Sequence, residues 1–228
     1  MRIIFLNLYY CKLESVLSEF VSTYISNTDV FCFQESKTDT ELYKTLCQTH
    51  NPFYDWKYVT DKNNYNQTIF VKKGIPVLDS KTIFKENDDF GLALSLLIQV
   101  NGKSVEIINV HGLPYPGDKK DNEYRLTQSR QILESRSLNV YSSVIGGDFN
   151  LDVETQSIRF FEQNGYDNLV KNYGIQTTRN SIAWNNYPES KQYYADYVFV
   201  SEGTVVSDFQ VPDVTVSDHL PMIVDINV

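Results

Sequence analysis

Short apolar runs alternate with amphipathic stretches along the chain. Residues 2–8, Arg-Ile-Ile-Phe-Leu-Asn-Leu, predict a buried strand that carries Asn7 near its end. Leu13, Val16, Leu17, Phe20, Tyr24 and Ile25 then recur at spacings of three and four, which gives one sticky face to a helix over 12–26. A second apolar run, Val30 to Phe33, leads directly into Gln34-Glu35-Ser36. Thr38 or Asp39 is placed to cap a further helix over 39–49. The strand–helix–strand order predicts two parallel neighbouring strands whose carboxyl ends share one sheet edge. That edge is where α/β proteins bind ligands, and here it carries Asn7 and Gln34-Glu35.

The middle of the chain changes period. Strands are predicted over 54–60, 66–73, 75–84, 91–100 and 103–110, with turns at Asn63-Asn64, Lys73-Gly74 and Asn101-Gly102. Asn-Gly between two apolar runs is a strong hairpin signal. These strands read as an antiparallel meander whose last member ends in His111-Gly112. A loop rich in Pro, Gly and charge covers 113–120, and Asp121 is placed to cap a helix over 122–137. The run 140–145 predicts another strand, followed by Gly146-Gly147-Asp148-Phe149-Asn150. The two glycines read as a sharp turn, and continued alternation would point Asp148 and Asn150 the same way. A helix over 154–164 stops at Gly165, and 166–192 read as one long irregular loop. Strands over 194–200 and 204–210 follow, then Ser217-Asp218-His219-Leu220-Pro221 and a last strand to about Asn227. With no repeat, low-complexity segment or linker, residues 1–228 read as a single domain. The strands are too numerous for one open sheet, which predicts an α/β fold of two packed sheets with helices outside.

Composition narrows the function more than the fold. A formal net charge of -9 argues against a protein whose main task is to hold nucleic acid on a basic face. It leaves room for an enzyme that meets nucleic acid briefly at a locally basic or metal-filled site. The 16 tyrosines and 13 phenylalanines supply a substantial core and leave aromatics for a cleft. Cys11, Cys32 and Cys47 are odd in number and form no CxxC pair, so they read as reduced thiols rather than a disulfide or zinc site. The first residues lack the apolar region and cleavage site of a signal peptide, and no run approaches the ~20 apolar residues of a membrane span. A cytoplasmic monomer is the expectation.

Residues able to do chemistry recur at the ends of apolar strands: Asn7, Glu35, His111, Asp148, Asn150, Asp196 and the pair Asp218-His219. Each alone has an ordinary explanation, since Gly-Gly-Asp and Asp-x-Asn are common turn chemistry and a lone histidine often sits in a core. Asp196, inside Tyr-Ala-Asp-Tyr-Val-Phe-Val, needs a partner such as an arginine or an imidazole. Together they are the set that phosphate-ester hydrolysis requires. A hard divalent cation, Mg²⁺ or Mn²⁺, takes oxygen ligands such as Glu35. An aspartate orients or deprotonates water, while amides and an imidazolium donate hydrogen bonds to transition-state oxygens. A second aspartate orients a histidine and raises its pKa. No Walker lysine loop, Gly-x-Ser-x-Gly elbow or His-Glu-x-x-His helix is present.

Asn7, Gln34-Glu35, Asn109-Val110-His111, Gly147-Asp148-Phe149-Asn150, Asp196-Tyr197 and Ser217-Asp218-His219-Leu220-Pro221 occur in this order. Together they resemble the signature of the endonuclease/exonuclease/phosphatase superfamily from residue 7 to residue 221. That superfamily includes pancreatic-type deoxyribonucleases, abasic-site endonucleases, inositol polyphosphate 5-phosphatases, neutral sphingomyelinases and deadenylases. Many relatives carry Thr-Trp or Ser-Trp before the asparagine, where this chain has Phe5-Leu6. The resemblance implies a four-layer αββα sandwich with the site at one end of both sheets. It implies Glu35 as main metal ligand, with Asn7 beside it and Asp218 near the metal. Asp148 would align or activate water and Asn150 would contact the phosphate. His219, supported by Asp196, would contact the scissile phosphate, and His111 would lie near the leaving group.

The expected activity is that of a metal-dependent phosphodiesterase, nuclease-like. A phosphomonoesterase or a phospholipid or sugar-phosphate hydrolase is the alternative, and a non-catalytic binding module a third reading. Arg125, with Lys119 and Lys120, is a candidate phosphate-attracting rim, and Arg179-Asn180 a second substrate contact. Trp184, Tyr187, Tyr193 and Tyr194 are candidates for stacking on a base or lipid.

Overall fold

Alternation along the first two strands sets up the layers. β1 (Arg2–Asn7) and β2 (Val30–Ser36) pair in parallel. Ile3, Phe5, Val30 and Cys32 enter a large core shared with the second sheet. Ile4, Leu6, Phe31 and Phe33 enter a smaller core with Leu17, Phe20 and Val21 of α1 (Glu14–Tyr24) and Leu42 and Leu46 of α2 (Glu41–Thr49). Fully burying each such Leu, Ile or Phe is worth about 2 kcal/mol, so these strands anchor a helical layer on one face and a sheet on the other.

The computed structural model describes residues 1–57, 65–84, 91–186 and 188–228. After α2 come β3 (His50–Lys57), β4 (Tyr65–Lys72), β5 (Val77–Thr82), β6 (Leu92–Val100) and β7 (Lys103–His111). α3 (Glu123–Glu134), β8 (Ser142–Asp148), α4 (Gln156–Gln163), β9 (Tyr166–Asn168), α5 (Leu169–Asn172) and α6 (Ser181–Asn186) follow. The chain ends with β10 (Asp196–Ser201), β11 (Val205–Gln210) and β12 (Met222–Asn227). One sheet has the order β11-β12-β1-β2-β4-β3 and the other β5-β6-β7-β8-β10-β9. β1/β2 and β7/β8 are parallel and the other neighbours antiparallel, so both sheets are mixed. Ile132 and Leu133 of α3 and Ile158 and Phe161 of α4 cover the second sheet. The αββα sandwich is therefore present, and no helix among the described residues is long and apolar enough to cross a membrane.

Several local expectations change. The meander is divided: β3 and β4 form a hairpin in the first sheet, and β5, β6 and β7 belong to the second. The chain crosses between sheets at Lys73-Gly74, where Gly74 takes a φ of +97°. β3 starts at His50, directly out of α2; positions 58–60 and Asn63-Asn64 lie outside the described residues. Thr40, not Thr38 or Asp39, caps α2 by accepting from the Tyr43 amide at 3.1 Å. Asn122 caps α3, while Asp121 reaches across to accept from the first amides of α4, at Gln156 and Ser157. The helix expected from residue 12 is preceded by a tight turn at Tyr9–Cys11. The long loop over 166–192 contains β9, α5 and α6, which are too short for periodicity to reveal.

Gly146-Gly147 is not a turn. β8 continues through both glycines to Asp148, and the reason for glycine is crowding. A Cβ on Gly146 would lie 2.8 Å from the Phe5 ring of the facing sheet. On Gly147, with φ +128°, it would lie 2.2 Å from the Val110 carbonyl oxygen and 2.9 Å from Gln34 Nε2. Gly147→Ala is expected to lower the unfolding free energy by about 3 kcal/mol in urea denaturation, through overpacking plus backbone strain. Gly165→Ala, at φ +82° with open space around it, carries the strain alone and is expected to lose ~1 kcal/mol. Equal losses would show that the surroundings of Gly147 yield to a methyl group.

Candidate active site

Strand ends supply the site. Asn7 ends β1 opposite Gln34 of β2, and in the other sheet His111, Asp148 and Asp196 occupy one register line across β7, β8 and β10. Glu35 follows Gln34 with a φ of +52°, where the β2/β4 register slips. That bulge turns the carboxylate out of the strand's alternation and toward the open end. Ser217–His219 comes in from the loop before β12, held by a Leu220 amide bond to the Thr178 carbonyl and a bridge between Arg179 and His219. Together these segments line a cleft of about 440 Å³.

Hydrogen bonds fix most of its groups. His219 Nδ1 lies 2.9 Å from both carboxylate oxygens of Asp196. Its Nε2 is thereby aimed at Asp148 Oδ2, 3.7 Å away. Asp148 accepts from Asn7 Nδ2 at 3.0 Å and from the Asn150 amide at 2.9 Å. His111 Nε2 stands 3.8 Å from Glu35 Oε1 and 3.9 Å from Asp148 Oδ2. Asp218 accepts from Arg179 at 3.1 Å and from Ser217 Oγ at 3.3 Å. The Asn150 side chain donates from Nδ2 to the Gly112 carbonyl and accepts at Oδ1 from Lys119 Nζ.

The pKa directions follow from this packing. Burial pushes Glu35 up to about 7, Asp148 and Asp218 add to it, and His219 and a hydrogen bond from Asn7 oppose it. Burial also pushes Asp148 up, but His219, Lys119, His111 and Arg179 outweigh it and hold the carboxyl at about 2. For His219, burial lowers the pKa and Asp196, Asp218 and Asp148 more than compensate against Arg179, reaching about 9. At neutral pH the site therefore presents an aspartate and an imidazolium side by side.

Two groupings could receive a cation. Ligand atoms of Asp148, Asp196 and His219 lie within 4.8 Å of one another. In that trio the His219 Nδ1–Asp196 bond is already made, so a metal there would have to displace it. Glu35, raised by burial and further by Asp148 and Asp218, lines the cleft with both and could also offer oxygen donors to a hard cation.

The structure thus brings together Asn7, Glu35, His111, Asp148, Asn150, Asp196, Asp218, His219 and Arg179. It does not bring in Arg125, whose fully buried guanidinium is spent on the carbonyls of Leu113, Pro116 and Lys120 and on Asp118. Asn180 is turned away, donating to the Ser217 carbonyl and accepting from the Ile182 amide. Trp184 packs on Tyr193 and donates to the Gln192 carbonyl, Tyr194 bonds the Ile175 carbonyl, and Tyr187 lies outside the described residues. Lys120 is exposed, whereas Lys119 is buried in the cleft. Tyr9 and Tyr10 also line it and carry no motif in the sequence. A backbone signal marks these residues. Among the described residues, the non-glycine residues with left-handed φ are Tyr9, Tyr10, Cys11, Glu35, Asn101, Lys119, Asn139 and Asn150, and five of these line the cleft.

Comparison with known proteins agrees with this geometry. The model of the Endonuclease/Exonuclease/phosphatase family matches residues 6–219. A phospholipase C from Staphylococcus aureus is 26% identical over 216 residues, covering 79% of this chain; the match spans 64% of that relative's length. An endonuclease/exonuclease/phosphatase from Bacteroides vulgatus superposes with a TM-score of 0.77 at 17% identity, covering 100% of this chain and 98% of its own. The human Nocturnin catalytic domain with bound sulfate superposes with a TM-score of 0.77 at 13% identity, covering 100% and 94%. The fold, the ordered motifs and the family match lead to one conclusion: the chain belongs to the endonuclease/exonuclease/phosphatase family, a family of phosphoester hydrolases.

Proposed function

We propose that this protein is a divalent-metal-dependent phosphodiesterase that hydrolyses a P–O bond by in-line attack of water. The observation that carries the proposal is the buried row Asp196–His219–Asp148, in which Asp196 fixes Nδ1 at 2.9 Å and Nε2 faces Asp148 Oδ2 at 3.7 Å. Glu35, with Asn7 and Asp218 nearby, would hold Mg²⁺ or Mn²⁺, which supplies charge neutralisation at the phosphoryl group and the leaving oxygen. Asp148 orients the attacking water and takes up the proton that the water loses as the new P–O bond forms. His219 Nε2 donates to a non-bridging phosphoryl oxygen, where negative charge grows. His111, the second imidazole of the cleft, would protonate the leaving oxygen. The water oxygen bonds to phosphorus as the ester P–O bond breaks, with the water's proton passing to Asp148 and the leaving oxygen taking a proton from His111.

A phospholipid or other compact diester is favoured over long nucleic acid. The curated relative is named a phospholipase C, and Tyr9, Tyr10 and the 80% exposed Tyr115 stand at the cleft mouth. The net charge of -9 works against extended contact with a polyanion, and Arg125 is unavailable to assist. A panel of phosphatidylcholine and sphingomyelin vesicles, single- and double-stranded DNA, abasic DNA, RNA, and sugar and inositol phosphates separates these readings. Preferential turnover of DNA or RNA would overturn the lipid preference.

On the best substrate of that panel, Asp148→Ala and His219→Ala are each expected to lower kcat/KM by ~1,000-fold or more. Unchanged turnover in both variants would sink the proposal. Mg²⁺ or Mn²⁺ is expected to raise the melting temperature, because it binds the folded chain, and Glu35→Gln to abolish most of that rise. Stability should also report the buried imidazolium. The folded His219 is raised above its ordinary 6.5 to about 9. Its contribution is therefore complete below pH 6.5 and is lost as pH rises through about 9. Urea denaturation across this window should show falling stability in the wild type and a flatter profile in His219→Gln; identical profiles would contradict the Asp196 pairing.

A further inference from the structure

We infer that Lys119 is a further catalytic residue whose ammonium contacts a phosphoryl oxygen of the substrate, and that Arg125 positions it by clamping the loop that carries it. This rests on the phosphoesterase reading above.

Lys119 belongs to a loop whose residues 114–118 and 120 are exposed, yet it is itself 6% exposed. A lysine on a surface loop ordinarily keeps its head in water. Here the backbone adopts a φ of +58°, unfavourable for a side chain of this size, and turns the residue inward. Its carbonyl is pinned by the Asp152 amide at 2.7 Å, and its Nζ donates to Asn150 Oδ1. An ammonium has three donors, so this neutral partner leaves two toward the cleft that Lys119 lines with Asp148, Asn150, Arg179 and His219. Among the described residues, no carboxylate lies within 4.0 Å of Nζ. A buried ammonium bonded only to an amide is poorly compensated, and an anion in the cleft would complete its shell. Burial lowers its pKa, Arg179 and Arg125 add to that and Asp148 and Asp196 oppose it, so an anion entering the cleft would favour the charged form.

Arg125 explains how the loop is held. From α3, its guanidinium donates to the carbonyls of Leu113, Pro116 and Lys120 and to Asp118 Oδ1, on both sides of Lys119. A lysine at position 125 could not span these acceptors with one nitrogen. Asn150, in turn, has its oxygen bound by Lys119 and one amide hydrogen bound by Gly112, so Lys119 brings positive charge where the amide is partly spent.

The test compares the wild type with Lys119→Ala, Lys119→Arg, Arg125→Lys, the double variant Lys119→Ala/Arg125→Lys, and Asp148→Asn. Each is assayed on bis-para-nitrophenyl phosphate with Mg²⁺ or Mn²⁺. Lys119→Ala is expected to lose ~100-fold or more in kcat, with its melting temperature and metal-induced stabilisation retained. Added ethylammonium should restore part of the activity of Lys119→Ala, and Lys119→Arg should retain more activity than Lys119→Ala. Arg125→Lys should lower kcat, and the double variant should be no worse than Lys119→Ala, because both act through one ammonium. Wild-type kcat in Lys119→Ala beside an inactive Asp148→Asn overturns the role of Lys119 and leaves the hydrolase reading intact. A loss in Lys119→Ala that follows its melting temperature and resists ethylammonium also overturns it. Full activity in Asp148→Asn overturns the hydrolase reading itself.

Discussion

Four carboxyl groups, Glu35, Asp148, Asp196 and Asp218, are crowded into one end of a sandwich built on a large apolar core. Charges of one sign cannot share so small a space of low polarity unless cations are interleaved with them. The chain does this pair by pair: His219 is bonded to Asp196 and Arg179 to Asp218, while Asn7 and the Asn150 amide bond Asp148. Glu35 is left without such a bonded cation, and burial raises it to about 7 although His111 Nε2 stands 3.8 Å away. The proposed metal role of Glu35 rests on this balance, since an added cation would relieve the repulsion it shares with Asp148 and Asp218.

Such a balance works only if the groups cannot drift apart. Behind the cleft the apolar layer gives way to an inter-sheet amide bond, in which Gln34 donates to Asn109, and Asn109 donates back to the carbonyls of Phe33 and Thr68. Gly146 and Gly147 let the backbone of β8 approach Phe5, Val110 and Gln34 where any Cβ would intrude. Left-handed backbone at Glu35, Lys119 and Asn150 then directs side chains that regular strand geometry would send elsewhere. Each such residue carries a local conformational penalty, tolerable because the surrounding sheets are buried on both faces.

What the sequence made legible follows from this division. Apolar runs gave β1, β2, β7 and β8, and the polar residues at their ends, because strand burial leaves a strong periodic trace. Asp196 needed a charged partner on elementary grounds, and His219 is that partner. Gly146-Gly147 was misread because a glycine that relieves crowding and a glycine that permits a turn look identical in one dimension. The meander was broken between sheets because hydrophobic alternation records that a strand is half-buried, not which sheet buries it. Arg125 and Lys119, read together as one basic rim, part company in the structure for a related reason. Both are basic residues near His111, and only the loop's folded path decides which ammonium or guanidinium enters the cleft and which holds the loop together.

The overall charge and the cleft's cations are not in conflict. Charges farther apart than about 8 Å are largely screened at physiological salt, so a ligand in the cleft responds chiefly to the groups lining it. There His219, Arg179 and Lys119 face one small volume. A phosphate group able to enter that volume gains their attraction directly. A long polyanion must also lie along a surface with a net charge of -9, and every added phosphate outside the cleft works against the contact. The proposed preference for a substrate with one phosphate in the cleft and a remainder that is neutral, zwitterionic or short rests on this arithmetic.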